Sequence, residues 1–309
     1  MINRLSDNNI AILVIFFNRP QVFLQQLRSL KKIKPKLLYF AADGQRSSNL
    51  QDLSNLDECK LLISSEIDWE CNVHFFFSQI NHGCDIFVPM SIDWFFDHVD
   101  FGIILEDDCI ISNDFYRFCA HLLVKYADNS RIMNISSANF QNQKWGTGDY
   151  YFSRYPANWA WGTWRRAWKY FDIDMASLDL FLGPSGEFNK INLSEQERRF
   201  WRRFFLGLKS GRYSFWDAKW VYAIWRIDGV SITPNLNLST NIGYGTTATH
   251  TKDLLKIHAL PIQHLEKVIV EPQSLDIEVE ADYFLFKKYY KPNLSSYLRA
   301  AIDRFKSFF

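Results

Sequence analysis

An α/β fold built on a mostly parallel sheet, flanked by helices, is what this 309-residue chain predicts, and three observations carry the prediction. Short apolar runs alternate with amphipathic stretches from residue 10 to about residue 105, the pattern of βαβ units. The links between them are short. The fourth apolar run, Phe101-Gly102-Ile103-Ile104-Leu105, stops abruptly at Glu106, Asp107 and Asp108. Open α/β sheets place their ligands at the carboxyl ends of such strands.

Each element follows in order. Ile10 to Phe17 is a strand, closed by Asn18-Arg19-Pro20. Pro20 fits the first turn of a helix, where its missing N–H would be unpaired anyway. Val22, Leu24, Leu27 and Leu30 form that helix's apolar stripe, and Lys31, Lys32 and Lys34 lie near its end, where cations suit the dipole. Leu37 to Ala42 is a second strand ending in Asp43-Gly44, and residues 48–65 are helical. Val73 to Phe77 is a third strand. Asn81-His82 leads to Gly83, which lets the chain turn sharply before a helix at Ile86 to Phe96. The Phe101–Leu105 run is a strand buried on both faces.

The acid triplet admits two readings. Adjacent carboxylates repel unless a cation or hydrogen-bond donors compensate. Hard oxygen ligands at a strand end suit Mg²⁺ or Mn²⁺ carrying a diphosphate. The same residues also read as a solvated turn capping the next helix, since Ser112, Asn113 and Asp114 are good N-cap residues. Asn18 reads equally as an Asx-turn, and Asp43-Gly44 as a type I turn.

Composition narrows the class. A formal charge of +1, with acids and bases balanced, leaves no nucleic-acid footprint. Five cysteines without a CxxC pair argue for reduced thiols in cytosol, not a disulfide scaffold or zinc site. The polar N-terminus reaches only a short apolar run, so neither a signal sequence nor a membrane span is expected.

The second half changes character. Tyr150, Tyr151, Phe152, Tyr155, Trp159, Trp161, Trp164 and Trp168 crowd together with Arg154, Arg165 and Arg166. They read as a packed aromatic core with arginine stems stacked on it, or, at Trp161, as a wall of a sugar pocket. Ser194 with Glu197 makes a capping-box pattern, and the arginines after it read as a solvated helix face. Asp217 stands among aromatics in Phe215-Trp216-Asp217-Ala218-Lys219-Trp220. Burial there would raise its pKa and suit a general base, while a salt bridge to Lys219 or a nearby arginine is the plainer reading. Asn235 to Thr251 is polar and aperiodic, which predicts a flexible loop. Leu298, Ile302, Phe305 and Phe309 fall on one helical face of a tail at 282–309, able to dock on the body or lie on a membrane surface.

Several segments together resemble N-acetylglucosaminyltransferase I and its bacterial relatives, nucleotide-sugar transferases of the GT-A fold. They are AILVIFFNRP from Ala11, AADGQR from Ala41, NHGC from Asn81, IDWFFD from Ile92 and the EDD triplet with Asn113-Asp114-Phe115-Tyr116. Downstream they are the aromatic stretch Tyr150–Asp172 and NLNLSTNIGYGTTATHT from Asn235. The likeness covers roughly residues 10–251. It departs at Asp85, where the relatives carry a basic residue, and at Ala160 and Gly162, swapped against their pattern.

The resemblance implies a GT-A, Rossmann-like sheet over residues 1–251. Residues 10–112 would form the nucleotide-sugar half and 113–251 the acceptor and catalytic half, with a C-terminal extension at 252–309 ending in an amphipathic helix. It implies a metal-dependent, inverting transfer from a UDP-sugar to a saccharide or glycolipid acceptor, in a bacterial cytoplasmic enzyme with possible peripheral membrane contact. Asn18, Arg19, Asp43, Asn81, Glu106, Asp107, Trp161 and His250 would contact the donor. Asp108 would hold Mn²⁺ or Mg²⁺, and Asp217 would be the base. Against this stand a nucleotidyltransferase acting on sugar phosphates and a non-catalytic carbohydrate-binding subunit.

Overall fold

Six consecutive apolar residues, Ala11–Phe16, form β1, and every one of them is buried. Such a strand can lie only inside a sheet covered on both faces. The computed structural model, which describes residues 9–141, 143–243 and 260–290, places it there. After β1 come α1 (Pro20–Ile33), β2 (Leu37–Ala42), α2 (Gln51–Glu66), β3 (Asn72–Phe77), α3 (Cys84–His98) and β4 (Phe101–Glu106). Pro20 opens α1 as its composition requires. Gly83, at φ 76°, is the left-handed turn into α3.

The chain continues through β5 (Cys109–Ile111), α4 (Asn113–Lys125), β6 (Ile132–Ser136), β7 (Tyr150–Ser153), β8 (Ala160–Trp164) and α5 (Arg165–Trp168). Then follow α6 (Leu178–Leu182), α7 (Glu195–Lys209), α8 (Trp216–Arg226), β9 (Val230–Pro234), β10 (Ser239–Asn241) and α9 (Val279–Leu285). Ser112 caps α4 by accepting the Phe115 N–H at 3.0 Å, so the turn after the acids is a helix cap as well. The Ser194–Glu197 capping box opens α7.

The main sheet runs β3-β2-β1-β4-β8-β6-β9-β7. β1 pairs parallel with β2 and β4, and β2 with β3. β8 is antiparallel to both β4 and β6, which restores β6 and its parallel neighbour β9 to the direction of β4. The sheet is therefore mixed and mostly parallel, and the carboxyl ends of β1, β2, β3, β4, β6 and β9 share one edge. The chain steps outward from β1 to β3 and returns beside β1 as β4. That reversal makes the gap between β1 and β4 the switch point, where side chains from two loops can meet.

One expectation needed correction. Asn235 to Asn241 is not a loose loop: β10 pairs antiparallel with β5, and Leu238 is fully buried. Its asparagines satisfy backbone groups, Asn235 reaching Gly148 and Trp145, and Asn237 reaching Ser239. Polar composition there reflects hydrogen-bond work inside the fold. Docking on the body, one of the two settings read for the tail, is seen at several points of the extension within 260–290. Asp114 accepts the Leu265 N–H at 3.1 Å, Arg117 donates to three carbonyls between Leu265 and Lys267, and Tyr289 donates to the Phe140 carbonyl. Leu298, Ile302, Phe305 and Phe309 lie outside the described residues.

Candidate active site at the carboxyl edge of the sheet

Arg19 stands in the loop after β1 and the acids stand at the end of β4, so parallel pairing of the two strands delivers cation and anions to one point. Arg19 grips Asp107 through Nη2 and, at 3.3 Å, through Nε, while Nη2 also reaches Asp108 Oδ2 at 2.9 Å. This guanidinium is the compensation that three adjacent carboxylates demand. Burial opposes the Arg19 charge, but Asp107 and Asp108 outweigh it and hold the group protonated. The expected donor contact is thus a residue whose N–H groups already face the acids.

The acids themselves differ. Burial, and after it the charges of Asp108 and Asp107, push Glu106 up to about 8, with Arg19 opposing and Asp217 adding to the rise. Asp107, 3% exposed, is raised by burial while Arg19 pulls it back. Asp108 is held from three sides. Its Oδ1 accepts from Asn241 Nδ2 at 3.0 Å and from the Cys109 thiol at 3.5 Å, and its Oδ2 accepts from Arg19. Its carbonyl takes the Ile242 N–H at 2.8 Å. Gly243 passes so close that a Cβ there would run into the Asp108 carboxylate. Beneath the turn, Gln26 of α1 donates to the Glu106 carbonyl at 2.5 Å, and Ser29 donates to that of Ile111.

The remaining predicted residues line the same edge. Asn18 gives its amide to Asp52 Oδ1 at 2.6 Å, and Arg46 closes on the same carboxylate with Nε at 2.7 Å. Asp52 is fully buried, and this pair was not foreseen; the AADGQR stretch named Arg46 without its partner. Asp43 accepts the N–H groups of Gly44, His82 and Gly83, and Asn81 donates to the Gly44 carbonyl at 2.7 Å. Those bonds tie the β2 loop to the β3 loop. Burial raises the Asp43 pKa against the lowering effect of its hydrogen bonds.

Two readings change on the second half of the edge. Trp161 is 1% exposed and packs against Trp168, Trp216 and Trp220 at centroid distances of 6.1, 6.1 and 5.9 Å. It is core, with no face left for a sugar. Asp217 is not buried as its aromatic neighbours implied: it is exposed in the first turn of α8, with Oδ1 accepting the Ala218 N–H at 2.9 Å. Successive helical residues point about 100° apart, so Trp216 and Trp220 go inward while Asp217 faces out. Asp217 follows Trp216, whose indole packs on Trp161 and whose N–H is held by Asp85 at the start of α3. His250 lies outside the described residues.

Among the described residues no three His, Cys, Asp or Glu side chains converge as a self-sufficient metal cage. A single strand-end carboxylate, completed by phosphate oxygens and water, is nonetheless a donor set that Mg²⁺ or Mn²⁺ accepts. Asp108 is the residue here that could serve. No helix among the described residues is long and apolar enough to cross a membrane.

The fold and this edge define a Rossmann-like α/β protein with an acid-lined switch point. No family model matches the chain, and no curated protein sequence does either. Among solved structures it overlaps 4-diphosphocytidyl-2C-methyl-D-erythritol synthase from Anaerococcus prevotii at 9% identity and a TM-score of 0.32, covering 47% of this chain and 61% of that one. It overlaps UDP-glucose pyrophosphorylase complexed with UDP-glucose at 12% identity and a TM-score of 0.28, covering 46% of this chain and 66% of that one. This chain thus spans less than two thirds of either protein. Overlaps this shallow leave the chemistry to be argued from the site.

Proposed function

We propose that the protein is a glycosyltransferase. It would move a sugar from a nucleotide-diphosphate sugar, a UDP-sugar on the motif resemblance, to a hydroxyl of a saccharide or glycolipid acceptor. The observation that carries this reading is a pair of acidic groups, one from each half of the chain. The Glu106–Asp108 triplet stands at the switch point, and Asp217 lies at the head of α8, which is held to the start of α3 by Asp85 and to β8 by the Trp216–Trp161 contact. One group suits the leaving diphosphate and the other the attacking hydroxyl.

In this reading Asn18, Asp43 and Asn81, on the loops after β1, β2 and β3, frame the nucleotide. Arg19 supplies N–H donors where the leaving diphosphate gathers charge. A divalent Mn²⁺ or Mg²⁺ held by Asp108 would neutralise the same charge. The acceptor oxygen bonds to the anomeric carbon as the bond from that carbon to the diphosphate oxygen breaks. Asp217 takes the hydroxyl proton, and attack opposite the leaving group inverts the configuration.

The test is a panel of nucleotide sugars assayed for released nucleoside diphosphate, with Asp217→Asn alongside. The variant should lose roughly 10²- to 10⁴-fold in turnover, the usual worth of a positioned base, with donor binding unchanged. A near-normal rate removes Asp217 from the role. A second reading, nucleotidyl transfer onto a sugar phosphate, is favoured by Arg19, since a resident cation at the switch point serves a pyrophosphate leaving group equally well. It would release pyrophosphate only from a nucleoside triphosphate supplied with a sugar phosphate, and would free no nucleoside diphosphate from the nucleotide-sugar panel. The buried indoles around Trp161 weigh against a purely carbohydrate-binding subunit.

A further inference from the structure

The head of α8 has no cap of its own. Phe215 occupies the N-cap position with extended backbone and offers no side-chain hydrogen bond. The first N–H groups of a helix need acceptors from elsewhere. One arrives from another helix: Asp85, the second residue of α3, accepts the Trp216 N–H through Oδ1 at 3.1 Å. It is also the position where the motif resemblance breaks, so here the departure has a structural job.

Trp216 is thereby fixed at two points. Its indole, 7% exposed, stacks on Trp161 at 6.1 Å and 28°, and its backbone N–H is held by Asp85. The next residue is Asp217, exposed in the first turn of α8. The Asp85 charge is felt further along the helix at Lys219, where it opposes the lowering of the ammonium pKa by burial, together with Asp174 and Asp172.

We propose that Asp85 is a positioning residue for Asp217: by accepting the free N–H at the head of α8, it sets the place from which the Asp217 carboxylate meets the substrate. The proposal rests on the reading of Asp217 as the base. A displacement near 1 Å at a reacting group can cost up to about 10²-fold in rate, so a cap one residue away governs kcat without touching the donor.

The experiment is a double-mutant cycle read by steady-state kinetics on the full chain. Asp85→Ala should lower kcat by roughly 10- to 100-fold while the donor KM stays the same. Asp85→Asn keeps the accepting oxygen and loses only the charge at the helix terminus, so it should stay within about fivefold of wild type. In an Asp217→Asn background, Asp85→Ala should cost nothing further. An equal loss in both backgrounds overturns the proposal, as does an unchanged kcat in Asp85→Ala. Hydrogen exchange at residues 216–218 gives a reading independent of activity: it should rise in Asp85→Ala and not in Asp85→Asn, and the reverse would overturn the capping itself. Should wild type turn over no nucleotide sugar, or Asp217→Asn keep its rate, the base reading is what fails.

Discussion

Asp282 is the sharpest place to test the packing of the C-terminal extension, because its charge state and its burial conflict. It lies in α9, 3% exposed, where Ser153 donates a hydroxyl at 2.5 Å and the Arg154 backbone N–H donates at 3.0 Å. The Arg154 guanidinium stands 3.6 Å away. Burial pushes the Asp282 pKa up to about 7, against the lowering effect of Ser153 and Arg154, while Glu197 adds to the rise. A carboxyl raised in the folded state stabilises the fold fully below its unfolded pKa near 4, and that contribution is lost as pH climbs through about 7. At about 1.4 kcal/mol per unit, the whole effect is roughly 4 kcal/mol, of which about 3 falls between pH 5 and 8.

Asp282→Asn removes that titration and keeps an acceptor for Ser153 or Arg154. Urea unfolding of both proteins from pH 5 to 8 isolates it, since every other titrating group cancels in the difference. Wild type should lose up to about 3 kcal/mol more than the variant over this range. Parallel curves would refute the raised pKa. A variant hurt most at pH 8 would show instead that Asp282 is ionised and paired with Arg154.

Two further outcomes test the switch point. Asp108→Ala should abolish Mn²⁺-dependent nucleotide-sugar binding, followed by calorimetry, while circular dichroism keeps its wild-type shape; equal metal dependence in both proteins would leave the acids as a turn held by Arg19. Gly243→Ala drives a methyl into the Asp108 carboxylate, so it should cost about 1–3 kcal/mol in urea unfolding and weaken donor binding; full stability with full binding would mean that Asp108 moves freely.

How far the sequence reached depended on the range of the interaction concerned. β1, β2 and β4 were legible because burial on both faces leaves an unbroken apolar run, and Pro20 and Gly83 are local backbone signals. β5 and β10 were not, since three residues carry no measurable period and their pairing joins segments 130 positions apart. The site divides the same way. The EDD triplet announces itself through adjacency, but its counter-ion comes from Arg19, 88 residues earlier, and only the parallel pairing of β1 with β4 makes them neighbours. Asp217 misled in the opposite direction: aromatics on either side in sequence promised burial, and helical rotation turned them inward and the carboxylate outward. Asp85 could not be found at all from its own surroundings. A carboxylate in the first turn of α3 reads as that helix's own dipole partner, and its bond to Trp216 exists only because α3 and α8 pack together. The general consequence is physical: a short-range pattern can name an acid at a sheet edge or helix head, whereas the groups bonded around it are brought there by packing that no local pattern encodes.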